Sequence, residues 1–315
     1  MRVGVVGAGV VGSYFGGRLA HAGENVVFLA RGAKLEALRG HGLQVESADG
    51  DFVVRPAQAT DEPKSVGPVD VVLLAVKGWQ VPGAIETMRP LMGASTFAVT
   101  LPDGIEAPDQ VAAVFGKHRV VGGIALMMGT SVAPGYIRNT LRGTSITFGE
   151  LDSGRSERLD RLRQTFEHAG VTAKISPDII SARWEKLMLV SPWSAISAVT
   201  RAPLGIVRSV SETRQLLEET MREVLAVARA QGAKLSPDTV AERLRWLDSG
   251  PATSVGNMMR DLISGHPSEL ETQVGAIVRL ALASGVKVPR LSFLYASLLP
   301  LERRGRGELQ FTVCW

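Results

Sequence analysis

The chain has little cysteine and no long hydrophobic run. Its only cysteine among 315 residues is Cys314, so an internal disulfide and a metal site built from cysteines are excluded. Apolar runs such as VVLLAV at 71–76 have the length of a strand and are too short to span a bilayer. These shortages predict a protein without a membrane segment or a bound metal.

Runs of like charge are also missing. The net charge is +4, but lysine and arginine are scattered among aspartate and glutamate, and no run of five like charges occurs. A nucleic-acid-binding arm is therefore not expected. The chain enters a strand pattern at once, without a charged leader, and together with the single cysteine this favours the reducing cytoplasm.

What the chain does have is an ordinary globular composition, with 45% hydrophobic and 21% charged residues. Short apolar runs rich in β-branched residues alternate with helical stretches, which indicates an α/β fold with a doubly wound, Rossmann-type sheet. The predicted strands lie at 2–6, 25–30, 70–76, 96–101 and 119–126, with helices at 10–22, 33–40 and 80–91. The Asp-Gly pair in VESADGDFVV at 45–54 indicates a hairpin or a tight turn.

The pattern changes near residue 178, where helical periodicity replaces the alternation. Several of the later segments start at Ser or Asp and end at Gly, as helix caps predict. The chain is therefore expected to have two domains, a Rossmann-type cofactor domain at 1–177 and an all-helical substrate and catalytic domain at 178–315. A homodimer is suggested only by the general abundance of symmetric dimers.

The clearest motif is VGVVGAGVVGSYFG at 3–16, where a strand runs into G-x-G-x-x-G and then a helix. The first glycine allows the turn, the second lets a pyrophosphate approach the backbone, and the third lets the helix pack on the strand. The alternative is a glycine-rich turn without a ligand. The predicted cofactor-binding residues here are Gly7, Ala8, Gly9, Val10, Val11 and Gly12.

Two cations follow later strands. Arg31 stands directly after the second strand, where an NAD-binding protein usually places an acid for the ribose hydroxyl. An arginine suits the 2′-phosphate of NADPH, so NADPH is favoured over NADH. Lys77 follows the strand in VVLLAVKG and is a candidate for a second phosphate contact. Solvated surface positions are the alternative for both residues.

Hydride transfer also needs a proton donor near the reacting carbonyl. Lys186, Val190 and Ser194 share one face of a predicted helix, and the apolar residues after Lys186 would partly bury its ammonium. Partial burial makes a lysine a usable general acid, whereas periodicity alone favours a lysine whose stem merely lies on apolar surface. Glu269 begins another helix, either as a dipole-stabilised carboxylate or as an acid that orients a lysine or a substrate hydroxyl.

Taken together, these motifs resemble the ketopantoate reductase family (2-dehydropantoate 2-reductases) nearly from end to end. The resemblance rests on GAGVVGSYFGGRLA, LARG, LLAVKGWQV, the W-x-K-L around Lys186 and MMRDL followed by SELE. It implies NADPH-dependent reduction of a 2-oxo acid to a 2-hydroxy acid. It also implies that Lys186 is the general acid, that Glu269 assists it, and that Arg31 and Lys77 bind phosphates.

The chain departs from the family around the substrate. Asp103, in LPDG, stands where the family usually has an asparagine near nicotinamide and substrate, and Val190 and Ser194 replace two asparagines on the lysine helix. Asn257 aligns with a family serine, with Ser254 three residues earlier. We therefore count Asp103 with the cofactor-binding residues and Ser194, Ser254 and Asn257 with the substrate-binding ones.

Three functions stay open at this stage. They are reduction of a different 2-oxo acid, reduction of ketopantoate itself within pantothenate biosynthesis, and NADP(H) sensing without catalysis. The presence of both Lys186 and Glu269 argues against the sensor.

Overall fold

The structure is a computed structural model, and it describes residues 1–312. Cys314, on which the exclusion of disulfides rests, lies outside the described residues. The chain forms two compact units, Met1–Pro102 with Ala107–Ile179, and Asp103–Glu106 with Ile180 onward. The assignment of 1–177 to the cofactor and of 178–315 to the substrate stays a prediction.

The first unit is built on β-strands. Within residues 1–312 the strands are β1 (Arg2–Val6), β2 (Asn25–Leu29), β3 (Leu43–Ser47), β4 (Phe52–Val54), β5 (Gln58–Thr60), β6 (Val71–Leu74), β7 (Phe97–Thr100), β8 (Val120–Leu126), β9 (Gly129–Ala133), β10 (Tyr136–Asn139), β11 (Ser145–Glu150) and β12 (Thr172–Ile175). Of these, β1, β2, β6 and β7 are buried along most of their length.

Eight of these strands form one sheet in the order β12-β11-β8-β7-β6-β1-β2-β5. The run from β8 to β5 is parallel, whereas β11 is antiparallel to β8. Every side chain of β6 is fully buried, as expected for a central parallel strand that is apolar on both faces. This confirms the predicted Rossmann-type fold.

A second sheet has the order β4-β3-β10-β9. Its β3 and β4 pair as the antiparallel hairpin that the Asp-Gly turn predicts. Strand β10, which lies far away in the sequence, pairs in parallel with β3. Local patterns do not reveal such a pairing, and no second sheet was predicted.

Thirteen α-helices occur in the described part of the chain, six of them before the helical region. They are α1 (Val10–His21), α2 (Gly32–His41), α3 (Pro63–Val66), α4 (Val81–Met88), α5 (Ala107–Phe115), α6 (Glu157–His168), α7 (Ile179–Thr200), α8 (Leu204–Ser209), α9 (Ser211–Ala230), α10 (Thr239–Ser249), α11 (Asn257–Ile263), α12 (Ala276–Ser284) and α13 (Pro289–Gly305). A π-helical segment, Glu271–Gly275, leads directly into α12.

The second unit has its own hydrophobic core. Leucine, valine and methionine side chains from α7 to α13 pack into one buried cluster. Helix α7 carries apolar residues on most of its circumference, so it is largely buried, whereas α9 has one apolar and one charged face. Helix α7, which carries Lys186, thus contributes side chains to the core of the helical region.

Candidate active site

The glycine loop lies between β1 and α1, and its three glycines have different surroundings. Gly7 has φ +104°, and a Cβ there would lie 2.8 Å from the backbone carbonyl of Ala75, so a side chain is excluded. A Cβ on Gly12 would lie 2.1 Å from the carbonyl oxygen of Gly7, so α1 packs directly on the turn. Around Gly9, no atom of residues 1–312 beyond its two chain neighbours lies within 4 Å of the Cβ position.

The open space above Gly9 is located where a pyrophosphate would approach the backbone. Gly9 precedes the first residue of α1, and its carbonyl accepts the N–H of Ser13 at 2.8 Å. The free N–H groups and the positive end of the helix dipole at such a terminus favour a phosphate. The loop therefore fits a dinucleotide on three observations of its own geometry.

The loop also lies where the strand order of the sheet reverses. Strand β1 pairs with β2 on one side and with β6 on the other, and the chain goes first to β2. Ligands of open α/β sheets bind at such a switch point, beyond the carboxyl ends of the strands. Lys77 follows β6 at that edge, and its backbone N–H donates to Gln80 at 3.0 Å. Its assignment as a phosphate ligand stays a prediction.

The end of β2 is basic. Arg31 is exposed and precedes the first residue of α2, a helix whose first turn contains no acidic residue. Lys34 lies in that turn, and burial lowers the pKa of its ammonium below the ordinary value. Two cations at a helix N-terminus oppose the helix dipole, and a bound anion would offset that cost. Sequence reasoning missed Lys34, although it follows Arg31 by three residues.

In the second unit, Lys186 lies on α7 and contacts the carboxylate of Asp103. The Lys186 Nζ lies 2.5 Å from the Asp103 Oδ1, and the two side chains are 20% and 32% exposed. Lys186 is followed by three buried residues, Leu187, Met188 and Leu189. The ammonium is therefore held at the edge of the helical core by a carboxylate, while part of its surface stays accessible.

Asp103 belongs to a segment of four residues, 103–106, that packs with the helices. Arg183, one turn before Lys186 on α7, donates to the carbonyl of Gly104 at 2.6 Å and to that of Ile105 at 3.3 Å. Arg183 is 7% exposed, so this contact is largely shielded from water. The same face of α7 thus fixes both the backbone and the carboxylate of the segment.

The segment also packs against the region that follows Glu269. Gly104 has φ +122°, and a Cβ there would lie 2.7 Å from the carbonyl oxygen of Thr272. At the far end of the segment, Arg279 bridges Glu106 at 3.2 Å and Glu271 at 3.0 Å. The structure therefore brings the segment with Asp103 against the helical turn that begins at Glu269.

Tyr295 completes this cluster from α13. Its hydroxyl donates to Glu271 Oε1 at 2.7 Å. Burial, together with the adjacent Glu271 carboxylate, raises the pKa of Tyr295 to about 12. A Cβ on Gly275 would lie 2.8 Å from Glu271 Oε2, so the absence of a side chain lets the cluster form inside the π-helical segment. π-Helical turns inside α-helices are frequent at functional sites.

The predicted substrate residues lie on α7 and at the start of α11 or just before it. Ser194 is buried two turns after Lys186, and a Cβ on Gly256 would lie 3.1 Å from its hydroxyl, so Ser194 neighbours the residue just before Asn257. Asn257 is exposed at the start of α11. Ser254 is buried, and its carbonyl accepts the N–H of Leu204. The substrate role of all three stays a prediction.

Two further observations concern the described residues as a set. Within residues 1–312, each helix is too short or too polar to cross a bilayer. The same part of the chain holds no group of three His, Cys, Asp or Glu residues arranged for a metal ion.

The fold defines the class as a protein with an N-terminal Rossmann-type domain and a helical C-terminal region. The sequence profile "Ketopantoate reductase PanE/ApbA" matches residues 3–153, and "Ketopantoate reductase PanE/ApbA C terminal" matches residues 178–302. The chain belongs to the ketopantoate reductase family.

Individual relatives agree with the profiles. The chain is 29% identical to the 2-dehydropantoate 2-reductase of Nostoc sp. over 311 residues, which covers 97% of each chain. It is similar to the crystal structure of 2-dehydropantoate 2-reductase from Geobacter metallireducens, with a TM-score of 0.90, 30% identity and coverage of 95% of this chain and 99% of that one. The ternary structure of D-mandelate dehydrogenase with NADH and anilino(oxo)acetate has a TM-score of 0.89 but only 20% identity over 97% and 99% of the chains, so it supports the fold alone.

Proposed function

We propose that this protein reduces a 2-oxo acid to a 2-hydroxy acid and uses NADPH in preference to NADH. The observation that carries the proposal is the Lys186 ammonium, fixed on α7 against Asp103 in a chain of the ketopantoate reductase family. In this proposal the N-terminal unit binds the cofactor and the helical unit binds the substrate.

The reaction needs charge stabilisation at one atom. When bound, the cofactor supplies a hydride to the carbonyl carbon of the substrate. Negative charge then grows on the carbonyl oxygen, and a cation that also donates a proton is the simplest group to stabilise it. Lys186 Nζ donates that proton to the oxygen and regains one from solvent, to which its side chain is 20% exposed.

Asp103 and Glu269 act on Lys186 and on the substrate in different ways. Asp103 orients the ammonium, because it accepts a hydrogen bond from Nζ at 2.5 Å. Glu269 lies on the turn against which the 103–106 segment packs, and it assists by holding a substrate hydroxyl or the lysine itself. The buried Ser194, two turns along α7, offers a hydroxyl to the substrate.

The preference for NADPH rests on the end of β2. Arg31 and Lys34 provide two cations there, and the first turn of α2 has no acidic residue that would bind a ribose 2′-hydroxyl. A 2′-phosphate would gain charge-assisted hydrogen bonds from the arginine. Its negative charge would also stabilise the Lys34 ammonium, which burial has partly removed from water. Gly9 leaves room for the pyrophosphate.

A panel of 2-oxo acids, assayed with NADPH and with NADH by the absorbance of the reduced nicotinamide, tests the proposal. The purified protein should turn over at least one of these acids, and Lys186→Ala should abolish most of that turnover. Lys287→Ala, at an exposed lysine of the same unit, is the matched control. Binding of NADPH without turnover of any acid would instead support a sensor and refute the proposal.

A further inference from the structure

A carboxylate that the proposed reaction does not use is buried near the end of α13. Glu302 is 0% exposed. Removing a carboxylate from water is strongly unfavourable unless partners compensate for its lost hydration. The groups that contact Glu302 must therefore compensate for the hydration that its carboxylate has lost.

Those contacts are with two residues, Ser268 and Arg306. The Oε2 of Glu302 accepts the backbone N–H of Ser268 at 3.0 Å and its hydroxyl at 2.5 Å. The other oxygen pairs with Arg306 at 2.6 Å. The Ser268 hydroxyl in turn accepts the N–H of Leu270 at 3.1 Å. These bonds enclose the one residue between Ser268 and Leu270, which is Glu269.

The backbone around Glu269 is fixed on both sides, while Glu269 itself stays partly accessible. Ser268 and Leu270 are each 0% exposed. The last turn of α13 also approaches the preceding residues, since a Cβ on Gly305 would lie 2.6 Å from the carbonyl oxygen of His266. Glu269 is thus the one side chain of this turn that lies between two buried neighbours and still reaches solvent.

We propose that Glu302 is a positioning residue, whose buried carboxylate holds Ser268 and thereby directs the Glu269 side chain toward the substrate. The inference rests on the proposed function, in which Glu269 assists catalysis. A charged acceptor suits this task because charge-assisted hydrogen bonds are about twice as strong as neutral ones and fix their donors more tightly.

The chain offers a matched control in Glu223. This carboxylate is 8% exposed and anchors the opposite end of α13, where it accepts the N–H groups of Arg290 at 3.1 Å and Leu291 at 2.9 Å. Glu302 and Glu223 are therefore similar in burial and in chemistry. They differ in that only Glu302 holds the turn that carries Glu269.

The first experiment compares Glu302→Gln with Glu223→Gln in the full-length protein, by hydrogen exchange and thermal unfolding. Both variants should lower Tm. Only Glu302→Gln should speed amide exchange in a peptide spanning 266–272, whereas Glu223→Gln should speed it at the start of α13. Unchanged exchange over 266–272 in Glu302→Gln would overturn the proposal without reference to any activity.

The second experiment measures kcat and KM with the best 2-oxo acid, alone and in a Glu269→Gln background. Displacing a catalytic group by about 1 Å can cost on the order of 100-fold in rate, so Glu302→Gln should lower kcat/KM by roughly 10- to 100-fold. Glu223→Gln should leave kcat/KM within about twofold of the wild type. Glu223 holds the opposite end of α13, and substitutions at distant sites without shared partners act independently. In the Glu269→Gln background, Glu302→Gln should still lower Tm but should change kcat/KM no further.

Two outcomes contradict a positioning role, namely an equal loss of kcat/KM in both backgrounds and an equal loss in Glu223→Gln. If Glu302→Gln does not fold, Ser268→Ala removes only the hydroxyl and should show the same pattern more weakly. If the protein reduces no 2-oxo acid, the proposed function fails, whereas a Glu269→Gln variant with normal kcat/KM would contradict only the assisting role of Glu269. The exchange experiment still decides whether Glu302 holds the turn.

Discussion

Asp103→Asn is expected to improve the reduction of 2-oxo acids relative to neutral 2-oxo compounds. The Asp103 carboxylate lies 2.5 Å from Lys186 Nζ and neutralises the one cation that the proposal places at the reacting carbonyl. A 2-oxo acid brings its own negative charge close to that pair. The amide oxygen of asparagine can still accept from Nζ, so the substitution removes charge while it keeps the hydrogen bond.

The magnitude follows from the exposure of the two side chains. Unit charges about 4 Å apart interact by about 1 kcal/mol in water and about 4 kcal/mol near a protein surface. Asp103 and Lys186 are 32% and 20% exposed, so solvent screening places the effect toward the lower value. Relief of about 1–2 kcal/mol corresponds to a gain of roughly 5- to 30-fold in kcat/KM for the acid.

The assay compares each 2-oxo acid with its own 2-oxo amide, in the wild type and in Asp103→Asn. In Asp103→Asn, kcat/KM should rise for the acid and not for the amide, because only the acid carries a charge. Asp248→Asn removes a carboxylate paired with Arg214 elsewhere in the helical unit. It should leave kcat/KM unchanged for both the acid and the amide. Equal changes for acid and amide, or a loss for the acid alone, would refute the electrostatic argument.

Three further predictions concern the cofactor and the proton. Arg31→Ala should weaken NADPH binding by about 1.5–3 kcal/mol and NADH binding much less, measured by titration of each cofactor; equal losses would contradict the 2′-phosphate assignment. Gly9→Ala should keep a normal Tm but weaken both cofactors, whereas Gly12→Ala should lower Tm, because its Cβ would lie 2.1 Å from the Gly7 carbonyl oxygen; a stable Gly12→Ala with normal binding would exclude the packing role. Lys186→Ala should lose roughly 10²–10⁴-fold in kcat with NADPH affinity retained, and near-normal turnover would exclude the lysine as general acid.

Local patterns predicted the parts of the fold that local physics determines. The glycine loop, the helix that carries Lys186 and the hairpin at 45–54 each depend on residues close in sequence, and the structure contains all three. The second sheet was missed because β10 pairs with β3 across some ninety residues, and pairing at that distance leaves no periodic signal.

The candidate site shows the same division. Lys186 and Asp103 are far apart in sequence, and only the resemblance to the family linked their positions before the structure showed their contact. Glu302 gave no signal at all, since a glutamate in LERRG reads as a solvated helix end. Its burial depends on Ser268 and Arg306, and no spacing rule connects the first of these with α13.

The grouping of 103–106 with the helices means that the helical unit is not one continuous piece of polypeptide. A fragment that starts at residue 178 lacks the carbonyls that Arg183 binds and the carboxylate that Lys186 contacts. Such a fragment would have to fold with a largely buried guanidinium deprived of these acceptors. Exchange of helical halves between relatives would therefore need to transfer these four residues as well, so the segment to be exchanged is larger than residues 178–315.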